Sequence, residues 1–116
     1  MSTDIRVCLM NDSFPPVIDG VSNAVLNYAT IIQKKYGKAV VATPLYPGAK
    51  DNYDFPVQRY PSIDLRLKIF RGYRAGYPFD HVTLHRLQSM DLNLLHSHCP
   101  VASTVLARTL RDLLDI

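Results

Sequence analysis

The sequence predicts an α/β protein built on a doubly wound parallel sheet, and three features of the chain say so. Residues 5–10 and 39–43 are short, near-continuous apolar runs, the pattern of strands buried on both faces. Between them the apolar residues recur at spacings of three and four, as they do along an amphipathic helix. The connections are short, and strand, helix, strand with short connections is the βαβ unit of a parallel sheet.

Taken in order, the first strand carries Ile5, Val7 and Leu9. The helix after it is expected from near Ser22, with Val21, Val25, Tyr28, Ala29 and Ile32 as its apolar stripe. Lys34 and Lys35 fall in its last turn, where cations suit the helix dipole, and Gly37 is placed to stop it. The second strand ends at Pro44, and residues 55–60 form a third, closed by Pro61. Residues 61–79 are expected to be an irregular excursion with a short extended piece: Ile63, Leu65, Leu67 and Ile69 alternate with polar residues, but Pro61, Gly72, Gly76 and Pro78 punctuate the stretch. Asp80 caps a helix running to about Ser89, with Val82, Leu84 and Leu87 as its contacts. Leu92, Leu94 and Leu95 make a fourth strand that ends in His96-Ser97-His98. From Pro100 a last helix carries Val101, Val105, Leu106, Leu110, Leu113 and Leu114 as one stripe.

A length of 116 residues suits one domain with one core, and 47% apolar with 20% charged residues is the make-up of a folded globular chain. The net charge of +3 is spread rather than gathered into a run, which argues against nucleic acid as a partner. The two cysteines, Cys8 and Cys99, have neither CxxC nor zinc-site spacing, so reduced thiols in a cytoplasmic protein are expected. No signal-peptide pattern precedes the first strand, and no apolar run approaches membrane-spanning length. The chain stops at Ile116 directly after an amphipathic helix, where a further strand would return to the sheet. It is therefore expected to be the front of a longer protein. On that expectation it self-associates or is only marginally stable, through an unpaired sheet edge and uncovered apolar surface.

Two segments could carry chemistry. The loop of residues 11–22 leads from a buried strand into a helix N-terminus, where unpaired N–H groups and the positive end of the dipole attract anions. It is neither a Walker sequence nor GxGxxG. Its plain structural explanation is a turn stiffened by Pro15-Pro16, with Gly20 at positive φ. His96 and His98 stand at the carboxyl end of the fourth strand, on the same sheet edge as that loop, and being two apart they project to one face. The plain explanation is again structural, polar residues capping a strand end. As metal ligands the pair is half a zinc site, and Cys99, His81 and His85 lack the spacing to complete it, so no metal is expected. The sharper reading is a hydrogen-bonding pair aimed at a polar ligand held over the sheet edge, where open α/β sheets bind.

The run Asp12-Ser13-Phe14-Pro15-Pro16-Val17-Ile18-Asp19-Gly20-Val21 resembles the first loop of family 4 glycosyltransferases, and His96-Ser97-His98-Cys99-Pro100 resembles their His-x-His-x-Pro-like element. Tyr60-Pro61-Ser62-Ile63 and Gly72-Tyr73-Arg74 are similar to family segments too, so the likeness runs in order through nearly the whole chain. The resemblance implies a truncated Rossmann-like half of a GT-B fold, residues 1–116 being part of the N-terminal, acceptor-side domain and the C-terminal donor-binding domain absent. It implies transfer of a sugar from a nucleotide-sugar, a substrate rather than a cofactor, with retention at the anomeric carbon, and an inactive segment when alone. By position it makes His98 catalytic, beside the transferred sugar, and Asp19, Gly20, Val21, His96, Tyr73 and Arg74 substrate-binding. Cys99 departs from the Ser, Thr or Glu frequent after that histidine. Several enzymes of the family glycosylate lipids. Arg66, Lys68, Arg71, Arg74 and Arg86, interleaved with Phe70, Tyr73, Tyr77 and Phe79, would suit an acceptor at the inner membrane surface, although a solvated basic face explains them equally. The alternative function is a non-catalytic doubly wound module that binds a phosphorylated metabolite, which the fold alone also permits.

Overall fold

A computed structural model of the chain describes residues 5–16, 20–64, 74–76, 79–98 and 102–116. Its core is a parallel sheet of strands β1 (Ile5–Met10), β2 (Gly37–Pro44), β3 (Val57–Tyr60) and β6 (Leu94–Ser97), in the order β3-β2-β1-β6. Ser62–Asp64 and Arg74–Gly76 pair as a separate antiparallel ribbon, β4 and β5. Among the described residues there are three α-helices: α1 (Gly20–Ile31), α2 (His81–Gln88) and α3 (Ala102–Leu114). The expected irregular excursion thus contributes a short ribbon, and its residues 65–73 and 77–78 lie outside the described residues.

Alternation along the strands sends side chains to two cores. Val7 and Leu9 of β1 and Ala39 and Val41 of β2 meet Val25 and Ala29 of α1 on one face. Cys8, Met10, Val40 and Ala42 meet Leu84 and Leu87 of α2 and Leu106 and Leu110 of α3 on the other. Helices on both faces explain why these strands read as unbroken apolar runs. Burial of Cys8 pushes the pKa of its thiol up, which makes it an inert core residue rather than a nucleophile.

The helix stripes are narrower than the apolar pattern suggests. On α1 the sheet buries Ser22, Val25 and Ala29, whereas Val21 and Tyr28 are about half exposed. On α2 Thr83, Leu84 and Leu87 turn inward and Val82 turns out; on α3 Leu106 and Leu110 are buried while Val105 and Leu113 are not. In each case the apolar residues left in solvent lie just off the arc that contacts the sheet. Asp80 caps α2 as its sequence predicts, accepting hydrogen bonds from the Thr83 N–H at 3.0 Å and the Thr83 hydroxyl at 2.8 Å.

Gly37 stops the helix, as its position in the sequence suggests. α1 widens into a π-helical turn, Ile32–Tyr36, capped by Gly37, whose N–H donates to the Ile32 carbonyl, and Gly37 is at once the first residue of β2, paired with Ile5. A Cβ at Gly37 would sit 2.0 Å from the Ile5 carbonyl oxygen, so close approach of two backbones is what requires glycine here. At Gly20, by contrast, an added Cβ would meet nothing within 4 Å, and its φ is not in the left-handed region. Gly37→Ala is therefore expected to destabilise the chain by about 1–3 kcal/mol or more, and Gly20→Ala to stay within about 0.5 kcal/mol of wild type. Urea midpoints compare them, and equal losses at the two positions would overturn this account of Gly37.

Candidate functional site at the switch of strand order

The chain runs β1, β2, β3 outward in one direction and then returns to place β6 on the other side of β1. Strand order therefore reverses between β1 and β6, and in open α/β sheets the crevice outside the carboxyl ends at such a reversal is where ligands bind. The β1–β6 pairing sets Leu9 beside His96 and Met10 beside Ser97, and the His98 N–H continues the ladder to the Met10 carbonyl at 2.8 Å. The loop after β1 and the end of β6 thus leave the sheet side by side. Residues 12 and 98, distant in sequence, belong to one edge.

His96 shares a face with Leu9, the face covered by α1, and His98 follows two residues on. Their rings stack with centroids 4.2 Å apart, and the His98 ring also lies 5.9 Å from that of Tyr28 on α1, tilted by 24°. The shared face expected of the two histidines is what the structure has. They differ in access: His96 is exposed, while both ring nitrogens of His98 are buried and have no hydrogen-bond partner among the described residues. Desolvation first, and then the neighbouring His96, lower the pKa of His98 below its ordinary value. The Met10 carbonyl nearby pulls the other way without bonding either ring nitrogen. A neutral imidazole offers one donor and one acceptor. Leaving both unpaired and buried is costly unless a ligand meets them.

The loop after β1 is held by side chains more than by its backbone. Asn11, which is 2% exposed, donates from Nδ2 to the Ser13 carbonyl at 2.7 Å and to its hydroxyl at 3.1 Å. Oδ1 of Asp12 accepts from the Ser103 N–H at 2.9 Å and from its hydroxyl at 2.6 Å, so Asp12 caps α3 from across the crevice. Phe14 is fully buried, edge-on to Tyr53, which stacks on Phe55. Pro15 offers its carbonyl to Arg59 at 2.8 Å. Beyond the loop, Gly20 and Val21 open α1, whose first turn holds no acidic residue. Asp19 precedes that turn in sequence and lies, with Val17 and Ile18, outside the described residues.

Of the residues singled out from sequence, Gly20, Val21, His96 and His98 all belong to the α1 start and the β6 end flanking the switch. Arg74 is the first residue of β5, where it pairs in register with Asp64 of the antiparallel ribbon, and β5 lies against β2 and α3. Tyr73, Cys99 and the basic and aromatic residues 66–73 fall outside the described residues. Among the described residues no three His, Cys, Asp or Glu side chains converge as metal ligands, and no helix is long and apolar enough to cross a membrane. Sequence reasoning missed Tyr28, counted as core but lying against His98, and Arg59, passed over inside a strand. An arginine inside a short strand next to Tyr60 was the available signal, because a charged side chain that a sheet buries needs partners, and here the side chain is 7% exposed. Comparison of the chain with models of protein families, with curated proteins and with solved structures finds no match.

The depressed pKa of His98 has a direct consequence for stability. The unfolded chain takes up a proton near pH 6.5, whereas the folded chain resists it. Stability contributed by the neutral ring is present above that pH and is lost as pH falls through the lower folded value. Melting temperatures measured from pH 7.5 down to pH 5 should fall, and His98→Gln should flatten the part of the slope due to this residue. An identical slope in wild type and variant would remove His98 as its source.

Proposed function

We propose that this chain is the N-terminal, acceptor-side part of a family 4 glycosyltransferase of the GT-B type, one Rossmann-like half of an enzyme that moves a sugar from a nucleotide-sugar to an acceptor with retention. The observation that carries the proposal is the His98 ring beside the reversal of strand order, stacked on Tyr28 of α1 with both ring nitrogens buried and without a partner among the described residues, on the sheet edge from which the loop into α1 also leaves. The ring and the start of α1 ask for different chemistry. A helix N-terminus favours an anion such as the donor diphosphate, by roughly 0.3–1 kcal/mol. A neutral imidazole with a free donor and a free acceptor favours hydroxyl groups, which also offer both. A nucleotide-sugar carries the two side by side.

On this proposal Gly20 and Val21 present backbone N–H groups to the diphosphate, and the absence of any side chain at Gly20 keeps the approach open. His98 hydrogen-bonds the sugar and steadies the charge that develops at the anomeric centre, while His96 and Tyr28 wall its ring. Asp19 and Tyr73 join the site by sequence match alone, as does Arg74. The acceptor enters from the basic and aromatic segment that follows β4, a lipid at the cytoplasmic membrane surface being the class such a segment suits.

The deciding experiment uses a protein that carries both this chain and a donor-binding domain. His98→Ala should lower kcat by roughly 10²–10³ with little change in KM, because the lost contact belongs mainly to the transition state. His96→Ala should be milder. Normal turnover in His98→Ala would sink the catalytic assignment. Phosphate binding at Gly20 and Val21 without sugar transfer from any nucleotide-sugar would favour the metabolite-binding module instead.

A further inference from the structure

A row of polar side chains crosses the carboxyl end of the sheet on the face that α1 covers. Arg59 of β3 pairs in register with Thr43 of β2. One rung past the last paired residue of β1, Asn11 comes level with Thr43 on one side and His98 on the other. The Asn11 N–H donates to the Ala42 carbonyl at 3.3 Å, and the His98 N–H to the Met10 carbonyl at 2.8 Å. Arg59, Thr43 and Asn11 each lie two residues beyond an apolar residue of the α1-side core, Val57, Val41 and Leu9. His98 lies two beyond His96, which pairs with Leu9, so alternation brings all of them to one face.

Two members of the row find partners inside the protein. Asn11 bonds Ser13. Arg59 grips both carboxylate oxygens of Asp51 at 2.8 and 2.9 Å and donates to the carbonyls of Pro44 and Pro15 at 3.0 and 2.8 Å. The other two do not. Thr43 is 1% exposed, and its hydroxyl, like both ring nitrogens of His98, is buried with no hydrogen-bond partner among the described residues. An unpaired buried hydroxyl costs about 1–3 kcal/mol, and valine would fill much the same space without that cost. The backbones of Thr43 and His98 are two strand spacings apart, roughly 10 Å, with Asn11 between them. We propose that Thr43 is a second ligand-binding residue, which together with His98 takes the hydroxyl groups of an uncharged polyol laid across the end of β1. Each of the two side chains offers both a donor and an acceptor, and a hydroxyl group answers both. A phosphate or carboxylate only accepts, and an ammonium only donates. The cation of the row is already matched by Asp51, so it asks for no anion. Neither group reaches solvent, so entry of the ligand has to displace what covers them, Tyr28 in the case of His98. This rests on the function proposed above and adds to its sugar site a residue from β2.

The test uses this chain with D-glucose as probe, read by amide and threonine-methyl shifts, and melting temperature measured without the sugar. Thr43→Val should keep or raise the melting temperature, because an unpaired hydroxyl is removed. The same variant should weaken glucose binding roughly three- to tenfold, the worth of one hydrogen bond. Thr43→Ser, which restores the hydroxyl, should bind within twofold of wild type. A threonine serving structure alone would give the reverse for valine, a lower melting temperature at unchanged affinity. Either half of that reverse overturns the role of Thr43, the first because an internal water or polar neighbour then holds its hydroxyl. If His98→Ala weakens binding while Thr43→Val does not, Thr43 alone fails and the sugar contact at His98 stands. A wild type whose shifts do not move with glucose overturns both. Inorganic phosphate moving the Thr43 methyl in place of glucose would overturn the uncharged ligand.

Discussion

β1 is hydrogen-bonded along both edges and packed on both faces, and the remainder of the molecule is arranged around that double confinement. From Val7 to Met10 the strand has no free surface and carries only apolar side chains, Arg6 standing at its more open start, so its chemistry is displaced to the residues just past its end. There the ladder gives out and polar side chains take over, Asn11 bonding Ser13 and Asp12 reaching Ser103. The neighbours are confined in turn. β2 opens with a glycine because β1 comes too near for a side chain, and β6 carries its histidines to the edge because its register on β1 is fixed.

Much of this was legible in the sequence because it depends on patterns that local chemistry enforces. Unbroken apolar runs could belong only to strands covered twice, and Asp80 at a helix start had one sensible use. The nearness of residues 12 and 98 followed from parallel topology, since both trail strands at one edge. Less legible was anything set by the width of a contact. Val21, Tyr28, Val82 and Leu113 are apolar at helical spacing, yet the sheet is too narrow to cover them. Arg59 escaped notice for the opposite reason: its partners are a carboxylate eight positions away and two carbonyls, and backbone carbonyls have no signature in sequence.

The site joins two kinds of enforcement. His98 is held through its backbone by the β-ladder and through its ring by stacking, and its ring nitrogens have no hydrogen-bond partner among the described residues. The loop opposite is held by side chains that reach it from β3 and α3. A ligand between them therefore meets one wall set by the sheet and another set by tertiary contacts, and the second is the more readily altered by substitution.

The bond from Asp12 to α3 sorts charge across the crevice. Two helices begin at this edge, and each start is positive, so an anion arriving there would find two competing resting places. Asp12 fills one of them with a carboxylate of the protein's own, bonded to the Ser103 N–H. The α3 start is thereby closed to an outside anion by the protein's own carboxylate. On the function proposed above, a ligand with a charged end and an uncharged end would turn its anion away from α3.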